Sequence, residues 1–236
     1  MRKLLLAAAA IFAAALTSQA QAAPDLSARI FEDGSLVPGS MTTSSTGTLF
    51  ISGVGNNFTF LSALSLGFPQ IAQPALDVQT TSVSSIGNFS GSHTLTFEVT
   101  QTGLDSASAG TPLAALASSF TANFLINGSA ISSVTIASYV DAANTAFGTS
   151  QLLASNTYTS GPTNASGAML ANPTLNGPLF SETVVITATF TGAGASLNAS
   201  AQIVAVPEPA SLALFGMGLL GMGLVKRRRD AANTAA

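Results

Sequence analysis

Few side chains in this chain could do chemistry, and each is better explained by a strand or a loop. Histidine occurs once, as His93, and cysteine not at all, which excludes disulfides, thiolate nucleophiles and Cys-ligated metals. A Ser/His/Asp hydrolase would use His93 as its general base, with a hydroxyl and an orienting carboxylate converging on it. His93 follows Gly91-Ser92 and shares parity with Leu95, Phe97 and Val99, which is where a histidine at a strand edge sits. In a chain so rich in Ser and Thr, some hydroxyl near it needs no catalytic explanation. Glu98 and Glu182 are the carboxylates a glycoside hydrolase would use as a facing pair. Both belong to strand-like segments and nothing in the sequence brings them together, so the expectation is two solvated strand carboxylates. Trp is absent and the only tyrosines are Tyr139 and Tyr158, which weakens a platform for sugar rings. Glu32-Asp33-Gly34 and Asp105 offer loop oxygens to a hard cation such as Ca²⁺, but no D-x-D-x-D-G series supports them. Asn57, Asn88, Asn127, Asn164 and Asn198 each open an N-x-S/T triplet, close to chance in this composition. No catalytic residue, cofactor or resident metal is expected.

Charge is as sparse as chemistry. Charged residues make up 7% of the 236, against roughly 25% in an ordinary soluble protein. Arg2 and Lys3 open the chain and Lys226, Arg227, Arg228 and Arg229 lie near its end, leaving Arg29 as the lone positive residue between 24 and 206. Facing it are Asp25, Glu32, Asp33, Asp77, Glu98, Asp105, Asp141 and Glu182. Such a domain repels phosphate backbones, so nucleic-acid binding is not expected.

The elements that must position these residues are strands. Thr94–Thr100 alternates, with Leu95, Phe97 and Val99 on one face, and Val184–Phe190 places Val184, Ile186 and Phe190 inward. Thr48–Val54, Asn57–Leu64 and Ser196–Val204 read the same way. Phe120–Ile126 and Ala130–Ile136 flank Asn127-Gly128, a pair suited to a type I′ hairpin turn. Leu113, Leu116 and Phe120 show roughly helical spacing after Pro112, and residues 141–154 leave room for a turn of helix. Strands separated by Gly- and Pro-rich turns predict an all-β fold, an antiparallel β-sandwich spanning 23–205.

Both ends of the chain read as transport signals. Arg2-Lys3, the apolar run Leu4–Leu16 and the small residues of Ala20-Gln21-Ala22 form the three parts of a secretory signal peptide, residues 1–22, with cleavage expected between Ala22 and Ala23. At the other end Val206-Pro207-Glu208-Pro209 precedes a 16-residue apolar stretch, 210–225. As a helix this stretch would be about 24 Å long, a short single transmembrane helix. The basic cluster Lys226, Arg227, Arg228 and Arg229 would stop transfer and hold that end in the cytoplasm, leaving 230–236 as a short tail. Gly216, Gly218, Gly221 and Gly223 do not give the GxxxG spacing of a packed helix pair.

The order Pro207-Glu208-Pro209, short apolar helix, arginine cluster, over 206–229 and behind a signal peptide, resembles the tripartite signal of the PEP-CTERM family. The resemblance implies recognition by an exosortase, a membrane enzyme of exopolysaccharide-producing Gram-negative bacteria, with Pro207, Glu208 and Pro209 as the recognition element. The partners it implies are signal peptidase and the general secretion machinery, the membrane through 210–225, the exosortase, and exopolysaccharide. Asp141–Ser155 and Pro178–Gly192 are also similar to stretches of other ectodomains of this family, without an assigned activity. The expected function is an exported, non-enzymatic cell-surface or extracellular-matrix protein, anchored as an inner-membrane precursor and then processed. The alternatives are a polysaccharide-acting hydrolase and a Ca²⁺- or glycan-binding module.

Overall fold

The computed structural model describes residues 24–111, 114–159 and 165–206. The signal peptide, the sorting motif, the apolar stretch, the basic cluster and the tail lie outside the described residues, apart from Val206. The chain divides into two compact units, one ending at Ala205 and one beginning at Val206.

Alternation governs what is described. Thirteen strands form: β1 (Asp25–Glu32), β2 (Ser35–Leu36), β3 (Thr42–Ser44), β4 (Thr48–Val54), β5 (Phe58–Leu66), β6 (Leu76–Ser85), β7 (His93–Asp105), β8 (Leu116–Ile126), β9 (Ile131–Asp141), β10 (Gln151–Thr159), β11 (Ala165–Ala171), β12 (Leu179–Phe190) and β13 (Ser196–Ala205). All pair antiparallel. The first sheet runs β10-β9-β12-β7-β1-β2, with β3 also on β1, and the second runs β11-β8-β13-β6-β5-β4. Among the described residues helix is confined to two 3₁₀ turns, 106–109 and 128–130, and no helix there is long and apolar enough to cross a membrane.

The two sheets bury their apolar faces against each other, as a period-two pattern requires. Leu95, Phe97 and Val99 of β7 and Val184, Ile186 and Phe190 of β12 all enter the core. Aromatic rings tie the layers together: Phe58 meets Phe190 with centroids 5.0 Å apart, and Phe60 stands edge-on to Phe97 at 5.9 Å. One polar pair links the layers. The Ser118 and Ser138 hydroxyls share a buried hydrogen bond of 2.7 Å between β8 and β9.

Three local expectations are corrected. Asn127 does take a positive φ of 45°, but no hairpin follows, because β8 and β9 belong to different sheets. Gly128 instead opens a 3₁₀ turn that carries the chain across, and a Cβ there would lie 2.9 Å from the Cβ of Phe124. Leu113 lies outside the described residues, and Leu116 and Phe120 are buried on one side of strand β8, not on a helix; a spacing of four satisfies both periods. Residues 142–149 form turns rather than helix. Asn144 and Phe147 both have φ of 57°, incompatible with a right-handed helix.

Candidate functional site

The chemistry-bearing residues fall into separate neighbourhoods. Asp33 and Gly34, at φ of 50° and 78°, form a two-residue turn joining Glu32 to its pair Ser35. That tight turn aims Asp33 at the start of β7, where its carboxylate accepts the Thr94 N–H at 2.8 Å and meets His93 Nδ1 at 2.7 Å. His93 begins its strand as expected, edge-on to Phe89 at 4.9 Å and 3.4 Å from the Asn57 amide. Burial pushes the Asp33 carboxyl up, but the His93 hydrogen bond, the Thr94 N–H and the charge of His93 hold it below its ordinary value. A carboxylate thus orients the histidine, and among the described residues its partners are a carboxylate and an amide, not a hydroxyl.

Glu32 is buried and its two oxygens accept three N–H donors, from the Asn56 and Asn57 backbones, each at 2.7 Å, and from Asn57 Nδ2 at 2.8 Å. It closes the turn before β5 rather than waiting for a cation. A cleft of about 280 Å³ opens beside it, walled by Leu36, Val37 and Val54, with Glu32 as its one carboxylate. Asp105 is at the opposite end of the 13-residue β7 from His93, about 40 Å away along the strand. There it caps the 3₁₀ turn through the Ala107 N–H. The loop oxygens weighed for Ca²⁺ therefore do not converge, and no group of three metal-ligating residues occurs among the described residues.

Glu98 and Glu182 are not a solvated pair. Glu98 points out from the first sheet and is held by Arg29. The Arg29 guanidinium also lies over Phe147, 4.0 Å from the ring centroid, and 5.2 Å from that of Phe31. Phe147 comes from the β9–β10 connection, which crosses the outer face of the sheet. Its Thr145 carbonyl accepts the Ser181 hydroxyl at 2.7 Å and its Asn144 side chain accepts the Gly103 N–H at 2.7 Å. This strap explains why Thr100, Ser181 and Thr183 are buried on a face that is otherwise wet.

Glu182 points the other way. It shares the parity of Val184 and Ile186, is 0% exposed, and neither carboxyl oxygen has a hydrogen-bond partner. Burial pushes its pKa well above the ordinary value. Its cross-strand neighbour Gln101 offers no help, because that amide both donates to and accepts from the Phe68 backbone. The two carboxylates thus face opposite sides of one sheet and cannot flank a glycosidic bond.

Another feature was not legible from the sequence. On the outer face of the first sheet Thr96, Thr187, Thr135 and Thr157 stand in one cross-strand row, and Thr94, Thr189, Ser133 and Thr159 in the next. Strand geometry spaces these residue positions about 4.8 Å apart across the sheet and about 6.8 Å along it. Hydrogen bonds between Thr96 and Thr187 (3.3 Å) and between Thr135 and Thr157 (2.9 Å) fix the side chains within the row. The signal lay in register, which local alternation does not encode.

The PEP-CTERM protein-sorting motif matches residues 205–229. No curated protein matches the chain. Among solved structures, the chain is similar to TmCBM61 in complex with beta-1,4-galactotriose, at 10% identity over 76% of this chain and 88% of that one, with a TM-score of 0.32. It is also similar to the CBM22-1 xylan-binding domain of Xyn10C from Paenibacillus barcinonensis (14% identity, 68% and 95% covered, TM-score 0.30). The K1 cleaved adhesin domain of Lys-gingipain from Porphyromonas gingivalis W83 is a further likeness (15%, 68% and 99%, 0.28). Likenesses this distant assign no ligand.

Proposed function

We propose that this chain, which carries a PEP-CTERM sorting motif, is an exported, non-enzymatic surface or matrix protein delivered by an exosortase. The match of the sorting motif to residues 205–229 carries the reading. In this reading signal peptidase releases residues 1–22, the segment after Val206 holds a precursor in the inner membrane, and processing at Pro207-Glu208-Pro209 frees the β-sandwich to the outside. The scattered chemistry supports a non-enzymatic role, since the carboxylates face apart and His93 pairs with Asp33 rather than with a hydroxyl. Replacing Pro207, Glu208 and Pro209 with alanine is expected to leave the precursor in the membrane fraction, with an intact mass ending at Ala236. Unchanged processing would overturn the sorting role.

The hydroxyl rows favour a second reading, in which the outer face of the first sheet holds a neutral glycan. Threonine presents both a hydroxyl and a methyl on a stiff side chain, a surface suited to the alternating O–H and C–H groups of a sugar ring. Thr96, Thr135 and Thr187 changed together to valine keep the shape and strand preference while removing three hydroxyls. At about 1 kcal/mol per hydrogen bond, retention on an immobilised neutral β-glucan is expected to fall at least tenfold. Equal retention would move any binding elsewhere.

A further inference from the structure

Charge is distributed unevenly over this domain, and one sheet edge lacks the usual guards. From Ser106 to Val206 the only carboxylates are Asp141 and Glu182, and both are buried. The other charges, Asp25, Arg29, Glu32, Asp33, Asp77, Glu98 and Asp105, belong to β1, β6, β7 and the turn after β1. The β10/β11 side is thus electrically blank, while the β1/β7 side carries the net negative charge.

Sheet edges normally carry a protection: a bulge, a charge, a proline or extreme shortness. Here β2 and β3 have two and three residues. β4 is bulged between Ile51 and Gly53, and β10 between Leu152 and Ala154. β11 has none of these. It pairs with β8 in unbroken register from Ala165↔Ala122 to Ala171↔Leu116, its sequence ASGAMLA has neither charge nor proline, and no described strand pairs with its other side. Leu170 is 62% exposed, and Met169 and, on β10, Leu152 are exposed too.

We propose that the β10/β11 edge joins two copies of this chain, β11 of one copy pairing antiparallel with β11 of the other so that the second sheet runs through both. Charge selects the second copy as occupant. Two identical domains that meet at this edge keep their acidic sides apart, whereas contact through the β1/β7 side apposes like charges. A blank edge also gives a charged partner nothing to recognise. The contact is isologous, so it closes at two copies and builds no fibre.

The chain has no cysteine, so single-cysteine variants of the full-length protein report the contact without background. Ala168→Cys, at the centre of β11, is expected to give a disulfide-linked dimer on mild oxidation, while Val54→Cys on β4 stays monomeric. Light scattering on the unmodified protein is expected to give twice the chain mass, and Leu170→Lys to halve it. Equal cross-linking at positions 168 and 54, or a single-chain mass for the unmodified protein, overturns the proposal. Cross-links that form only between Ala168→Cys and Val54→Cys in a mixture would show head-to-tail assembly and overturn the symmetric pairing.

Discussion

Replacing Glu182 with methionine is expected to stabilise the domain at pH 7 by about 2 kcal/mol, the scale of burying a polar group without a partner. For a domain of this size that is a rise in Tm of about 4–8 °C. The carboxyl is enclosed between the sheets with both oxygens unpartnered, and methionine fills a similar volume with no polar atom to desolvate. The pH dependence follows from the raised pKa. Because the folded state holds this proton more tightly than the unfolded chain does, stability is greatest below the unfolded value of 4.5. It declines as pH rises from there until the folded value is passed. Asp33 acts in the opposite sense: its lowered pKa gives a contribution present above 3.8 and lost as pH falls through the folded value. That carboxylate is well exposed, so its share is small. Thermal melts from pH 4 to 8 should therefore show Tm falling with pH, and Glu182→Gln should flatten the curve. A wild-type Tm that rises across this range, or a destabilised Glu182→Met at pH 7, would contradict the burial argument.

Glu32→Ala is expected to cost about 4 kcal/mol. The substitution strands three N–H donors beside a buried site, two of them on the backbone that turns the chain from β4 into β5, and each unmet donor costs about 1–3 kcal/mol. Glu32→Gln keeps one acceptor oxygen and should fall between the two. Urea denaturation reads both, and a loss under about 1 kcal/mol would mean that water replaces the carboxylate. Added Ca²⁺ should shift neither curve, since those oxygens are already taken.

What the sequence revealed and what it hid follow from range. Alternation is local, so β7, β12 and even the ends of β4 were legible, and with them the sandwich class. The sorting motif is linear, and residues 206–229 read from sequence differ by one position from the matched 205–229. Register is not local. The sequence could not show that Thr96, Thr187, Thr135 and Thr157 share a row, nor that β8 and β9 part company at Asn127-Gly128. Glu182 misled for a related reason. With the alternation read over Val184–Phe190, Glu182 is expected to be a solvated carboxylate, whereas β12 begins at Leu179 and carries Glu182 into the core.

The last strand has a mechanical meaning. β13 lies between β8 and β6, inside the second sheet, and ends at Ala205, where the sorting segment begins. A pull applied at Ala205 therefore loads two ladders of hydrogen bonds in shear, instead of peeling a border strand one bond at a time. A strand wired this way resists being pulled out from its C-terminal end, and its grip begins at its last residue.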